Sequence, residues 1–308
     1  MKAPDWIDAW IGEAPVQGCD GPHWHGELRR GTRFTHLRVV VPGAATLPDQ
    51  QLSDATRTVY QGMREALDGA HPIRFWNFVP GILGTASRRR DRYMVFNAGR
   101  HEAFDDWFDV SDPEAFAALM PAATGVGIDG DDLLIDCLAD RVPGVAIENP
   151  RQTAAFRYSA RYGPRPPCFA RATRVAFTEP LTGGAPDEGS THDALLISGT
   201  ASIVGEDSLH IGRPLDQLHE TLTNLQALIE AAGGNGLSDL VSARLYHREP
   251  DIDPAVRAAL IRRLPDLPVE LSRVTLCRPD LAIEIEAVAR FAGTRSFDRL
   301  AFRGSVER

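Results

Sequence analysis

What most constrains this chain is that its elements come in the same order twice, on either side of Glu148-Asn149-Pro150-Arg151. In residues 1–150, Leu37 to Val41 reads as a strand. Ser53 reads as the cap of a helix carrying Val59, Met63 and Leu67, and Ile73 to Phe78 as the next strand. In residues 151–308 the order returns: a strand from Leu195 to Val204, then a helix with Leu218, Leu222, Leu225 and Ile229 at helical spacing. Gly233-Gly234 stops that helix, and a strand follows from Leu240 to Tyr246. Each half adds another helix, Pro113 to Met120 and Ala255 to Leu264. Each then adds paired strands, Leu133 to Leu138 with Val145 to Glu148, and Val269 to Cys277 with Ala282 to Phe291. This order predicts an α/β (α+β) chain of two tandem halves, each a mixed β-sheet backed by helices. Periodicity leaves open a chance likeness of two α/β halves. If the duplication is real, the cleft between the halves is the place for a ligand.

Composition narrows the function. With 43% hydrophobic and 24% charged residues, the 308-residue chain can build a full core. No stretch approaches the roughly 18 apolar residues of a membrane span, and the N-terminus lacks the basic-then-apolar layout of a signal peptide. A cytoplasmic protein that does not engage a membrane is the expectation. A net charge of -9 argues against nucleic acid as a partner, so any anion must be held by locally gathered arginines. Cys19, Cys137, Cys168 and Cys277 are spread without a CxxC pair, which speaks against a disulfide framework or a zinc knuckle. His23 and His25 form an HxH pattern without a third ligand nearby and read as a surface turn. Arg88-Arg89-Arg90 reads as a solvated loop, and so does Gly183 to Ser190. P-loop, dinucleotide and Gly-x-Ser-x-Gly fingerprints are absent.

Three clusters carry possible chemistry. Arg157-Tyr158-Ser159-Ala160-Arg161-Tyr162-Gly163-Pro164-Arg165-Pro166-Pro167, with Arg171 beyond, is stiffened by its prolines. Guanidinium groups clasp carboxylates at two points, so the loop suits a substrate with two carboxylates; solvated arginines are the alternative. Arg74, Arg92, Asn97, Gly99 and Arg100 make a second group in the first half. In Ile283-Glu284-Ile285-Glu286-Ala287, strand alternation places Ile283, Ile285 and Ala287 on one face and both glutamates on the other. A partly buried glutamate there has a raised pKa, as a general acid requires, while an edge strand with a wet face explains the same pattern.

Ser198-Gly199-Thr200-Ala201, the helix Leu222 to Gly233 and the closing Ile283 to Ala289 resemble the YjgF/RidA family of small enamine deaminases. Those deaminases hold a substrate carboxylate with an arginine about fifteen residues before the first glutamate of that close. Counting back reaches Val269, which speaks against that activity. From about Thr35 to Phe302 the chain more closely resembles the chorismatases, two-halved relatives of that fold which release pyruvate from chorismate. Residues 73–82, 92–100, 162–172 and 199–205 carry the likeness. It implies that Glu284 is the catalytic acid. It also implies that Cys277, seven positions earlier, marks the members that make 3-hydroxybenzoate rather than a dihydrodiol, with 4-hydroxybenzoate open as a second product. Substrate contacts are implied at Tyr158, Arg161, Tyr162, Arg171 and Ala201. The resemblance implies chorismate as the partner, no metal or organic cofactor, and a monomer or small homo-oligomer. A RidA-like deaminase and a small-molecule sensor are the alternatives. Proline at 279 breaks the run between Cys277 and Glu284 as a turn, so a hairpin is expected to bring both to one pocket.

Overall fold

Apolar patterning on both faces of the central strands sets the architecture. In the computed structural model, which describes residues 1–87, 90–177 and 192–292, the strand His71–Pro80 is buried at every position after His71. Burial on both sides means that each sheet is covered twice. One face of the first sheet packs under the helices Asp49–Leu67 and Arg92–Phe108, with Leu52, Val59, Met63, Phe96 and Phe104 in the shared core. One face of the second packs under Pro214–Ala231 and Pro254–Arg263 through Leu218, Leu225, Ile229 and Val256. The remaining faces meet each other, burying Ile73, Trp76, Phe78, Leu138, Leu196 and Val288. The molecule is therefore four layers, helices–sheet–sheet–helices, as the expected α/β class of two mixed sheets backed by helices requires.

The first sheet runs Val16–Gly21, Trp24–Arg30, Phe34–Val41, Leu133–Asp140, His71–Pro80, Ala122–Ile128 and Thr275–Leu276. The second runs Val269–Arg273, Leu240–His247, Ile283–Ala292, His192–Thr200, Ala172–Phe177 and Val145–Ile147. Each sheet thus ends on a short strand donated by the other half. This corrects both expected strand pairs. Val145–Ile147 pairs with Ala172–Phe177 rather than with Leu133–Asp140. Val269–Arg273 lies parallel to Leu240–His247, and Thr275–Leu276 pairs with Ala122–Ile128, so neither joins Ile283–Ala292.

Ser53 is not a cap: the helix starts at Asp49, after Pro48, and Ser53 lies inside it. Arg92–Phe108 is a helix that the periodicity concealed, because Asn97 and Arg100 interrupt its buried face with polar side chains. Its start is marked locally by Asp91, whose carboxylate accepts from the Met94 amide at 2.8 Å. His23 sits in the exposed turn of the first hairpin with φ 66°, and His25 is exposed. The segment Gly183 to Ser190, as well as Arg88 and Arg89, lies outside the described residues. Among the described residues no helix is long and apolar enough to cross a membrane.

Candidate active site

Ile283–Ala292 is a central strand, paired on one side with Leu240–His247 and on the other with His192–Thr200, so the wet-edge reading of its glutamates fails. Ile283, Ile285 and Ala287 join the helix-covered core, as alternation predicts. Glu284 and Glu286 project into the layer between the sheets, at 4% and 3% exposure.

The two carboxyls have different surroundings. Glu286 is fully engaged: it accepts from Arg74 Nη2 at 2.7 Å, Thr124 Oγ1 at 2.6 Å and Trp76 Nε1 at 3.1 Å. Arg244 Nη1 stands 3.7 Å away. These bonds lock it as a structural anion joining the two sheets. Glu284 forms no hydrogen bond among the described residues and faces a pocket. Burial, aided by the negative charge of Glu286, pushes its carboxyl up to about 8, while Arg74, Arg278 and Arg171 pull the other way. It therefore keeps its proton at neutral pH. The backbone makes room for it. His192–Thr200 shifts register between Ile197 and Thr200, and a Cβ on Gly199 would overlap Glu284 Oε1.

The pocket has a volume of about 290 Å³ and lies between the halves. The seven residues that the family resemblance implied all line it: Tyr158, Arg161, Tyr162, Arg171, Ala201, Cys277 and Glu284. Their suitability differs. Arg171 is buried at 3% exposure and donates through Nη2 to Thr153 O and Tyr158 Oη, both at 2.7 Å, while its Nε has no hydrogen-bond partner among the described residues. Glu148 lies 4.0 Å from that Nε, its carboxyl pushed up to about 7 by burial against the pull of Arg171. Arg161 is half exposed and already paired with Asp207 and Glu206 at the rim. The Tyr158 and Tyr162 rings stand 4.9 Å apart, and the Tyr162 hydroxyl donates to Glu206 O.

Cys277 and Glu284 share the pocket, but not through a hairpin. Thr275–Leu276 belongs to the first sheet, so the chain crosses between sheets in the turn at Arg278-Pro279-Asp280. Burial pushes the Cys277 thiol up to about 12, with the Glu284 charge adding to it, so it stays a neutral thiol.

Among the other lining residues, Arg278 and Tyr93 were given no role by the sequence reading. Arg278 is 9% exposed, with its guanidinium carbon 4.2 Å from the Tyr162 ring centre and Nη1 donating to Glu206 O at 2.8 Å. Its place beside Cys277 was the available signal. Tyr93 comes from the concealed helix, its hydroxyl raised by burial. The first-half arginine group is divided. Arg74 pairs with Glu286, and Arg92 ties down a loop through Ala44 O and Leu47 O. Gly99 lets two helices touch, because a Cβ there would overlap Ser53 O. Only Arg100 lines a cavity next to Glu284.

Comparison with known proteins gives a consistent picture. Residues 8–139 match the family described as chorismatase FkbO/Hyg5-like, N-terminal. A 3-hydroxybenzoate synthase of Streptomyces hygroscopicus is 33% identical over 93% of this chain and 82% of its own length. A chorismatase of Streptomyces rapamycinicus is 31% identical over 91% of this chain and 81% of its own. A crystal structure of a chorismatase superposes with a TM-score of 0.71 at 29% identity, covering 89% of this chain and 80% of that one.

Proposed function

The chain belongs to the FkbO/Hyg5-like chorismatase family, and from that premise we propose that it converts chorismate to 3-hydroxybenzoate and pyruvate, with Glu284 as the acid. The observation that carries this reading is Glu284 itself. It is a buried carboxyl without a hydrogen bond among the described residues, its pKa of about 8 keeps it protonated, and it faces a pocket lined by Arg171 and Arg278. Such an acid sits next to a substrate that brings its own negative charge, which holds the proton on more firmly until it is transferred.

Chorismate carries a ring carboxylate, an enolpyruvyl ether with a second carboxylate, and a ring hydroxyl beside the ether. Arginines fix the carboxylates and so orient the ether toward Glu284, which removes several kcal/mol of entropic barrier. Glu284 delivers its proton to the terminal methylene, forming the methyl group of pyruvate and an oxocarbenium-like centre at the ether carbon. The neighbouring ring hydroxyl then attacks the ring carbon that bears the ether oxygen. The carbon–oxygen bond to that ring carbon breaks, pyruvate leaves, and the hydroxyl proton is available to reprotonate Glu284. Opening of the resulting epoxide with loss of the ring hydrogen gives the hydroxybenzoate, with no net uptake of water. The neutral Cys277 thiol supports this branch, because a thiol is a weak hydrogen-bonding group and anchors water poorly.

Chromatography of the products after complete conversion of chorismate tests the reading. Equal amounts of pyruvate and 3-hydroxybenzoate are expected. In Cys277→Ala, aromatisation slows or flux passes to the dihydrodiol. A wild-type enzyme yielding only the dihydrodiol would refute the aromatising branch and leave the role of Glu284 standing.

A further inference from the structure

Alternation along Leu240–His247 sends Ala243 and Leu245 into the helix-covered core, so Ser242 and Arg244 face the layer between the sheets. The register sets Ser242 beside Val288 and Arg244 beside Glu286. There they line a second cavity of about 400 Å³, larger than the catalytic pocket at about 290 Å³. Small-molecule sites span roughly 300–1,000 Å³, so it can hold a ligand. The two spaces share no lining residue: Glu284 belongs to one, and Glu286 with its partner Arg74 to the other. Pro4, Asp5 and Trp6 supply part of the second cavity's wall. Three bonds tie that segment to both sheets. Arg38 Nη2 donates to Met1 O at 2.8 Å, Arg244 Nη1 to Lys2 O at 3.0 Å, and the Ala3 amide to Asp136 Oδ2 at 3.2 Å.

Each charged side chain in this wall already has its counter-charge. Asp5 pairs with Lys2 at 2.5 Å, Arg74 with Glu286 at 2.7 Å and Arg244 with Glu270 at 2.7 Å. An anionic ligand would have to displace a carboxylate from a guanidinium, and a cationic one would find the carboxylates taken. Either charge would shed its water without gaining a partner. One strong donor is left over. Arg244 is 4% exposed, and its Nε has no hydrogen-bond partner among the described residues. Much of the remaining wall is apolar, with Trp6, Trp76, Leu196 and Val288. The Trp6 and Trp76 rings meet edge to face at 6.0 Å between centres, and Trp6 is only half-buried, which leaves part of an aromatic surface for another ring.

We propose that this cavity is a second binding site, for an uncharged aromatic molecule that carries a carbonyl oxygen. The ring lies against Trp6 and Trp76, and the oxygen accepts from Arg244 Nε. Selection here is the reverse of that in the catalytic pocket. There Arg171 and Arg278 gather positive charge for an anion, whereas here the charges cancel and a single spare N–H remains. The site is independent of what the catalytic pocket takes.

The test uses three probes of one shape and different charge: benzamide, benzoate and benzamidinium. Each is titrated calorimetrically into the wild type and into Ser242→Phe, which fills the second cavity from a position that the catalytic pocket does not touch. The part of an affinity that the substitution removes is the part owed to the cavity. Benzamide is expected to lose about tenfold or more, while benzoate and benzamidinium bind as before, including any benzoate held by the catalytic arginines. Benzamide binding that is unchanged in a folded Ser242→Phe would overturn the site. An equal loss for benzoate would overturn its selectivity for uncharged ligands. Because the larger side chain can impair folding, a crystal structure of the wild type with benzamide gives a second readout. The ring is expected against Trp6 and the oxygen within hydrogen-bond distance of Arg244 Nε. Benzamide found only in the catalytic pocket, or absent from both, would contradict the proposal.

Discussion

Glu284 and Glu286 are two residues apart on one face of one strand, yet their neighbours give them opposite tasks. Glu286 is held as an anion by Arg74, Thr124 and Trp76, whereas Glu284 has no hydrogen bond among the described residues and burial, outweighing the nearby arginines, keeps its proton on. On the proposed mechanism the acid form is the active one, and its pKa of about 8 sets the sign. Turnover should hold through neutral pH and fall about tenfold per pH unit above that value. A rate that instead rises with pH through 8 would remove Glu284 as the acid. Glu284→Gln keeps the shape without a transferable proton, so turnover should drop by about two orders of magnitude or more while analogue binding survives. The same group costs stability. Its folded pKa lies above the ordinary carboxyl value, so its stabilising effect is complete at pH 4 and is lost as pH rises toward 8. Glu284→Gln should therefore melt at a higher temperature than the wild type at pH 8, with the difference vanishing near pH 4. The arginines also separate. Arg171→Ala should weaken binding by about 1.5–3 kcal/mol and lower the melting temperature, because Arg171 is buried and bonded to Thr153 and Tyr158. Arg161→Ala, at a half-exposed and already paired rim position, should cost less than about 1 kcal/mol. Equal losses in the two variants would show that burial does not rank these contacts.

Among the elements, the strand His192–Thr200 matters as much to the acid as the strand that carries it. Gly199 occupies its irregular end and leaves the volume that the Glu284 carboxyl fills. Gly199→Ala should fold, because its backbone does not need a positive φ, yet displace that carboxyl and cut turnover by an order of magnitude or more. Normal turnover would mean that the carboxyl has another productive position. That Glu284 and Glu286 share a face was legible in sequence because strand alternation follows from the pleat alone, whereas singling out Glu284 and the arginine–tyrosine loop as the site rested on the chorismatase resemblance. The helix Arg92–Phe108 was not legible. Its buried face carries Asn97 and Arg100, so the apolar stripe that marks a helix is broken where the pocket needs polar groups. The edge pairings were also hidden, since strands of two or three residues such as Thr275–Leu276 and Val145–Ile147 hold too little pattern to choose a partner.

At the scale of the whole molecule, the pocket exists because the two halves cannot separate without losing it. Each sheet is finished by a strand from the other half, the two inner faces share one core, and Glu286 of one sheet is bonded to Arg74 and Thr124 of the other. Calorimetry should accordingly show one unfolding transition rather than two, whereas two resolved transitions would mean that the halves are energetically independent. The arrangement lets the acid come from one sheet while Tyr93 and Arg100 come from the helix covering the other. The central claim is that a proton from the enzyme is placed on the enolpyruvyl methylene. Turnover of chorismate in deuterium oxide, with pyruvate reduced to lactate as it forms to prevent later exchange, tests it most directly. The account predicts one deuterium in each lactate methyl group by mass spectrometry, and almost no product from Glu284→Gln. A methyl group free of deuterium, its third hydrogen carried over from the ring, would contradict it.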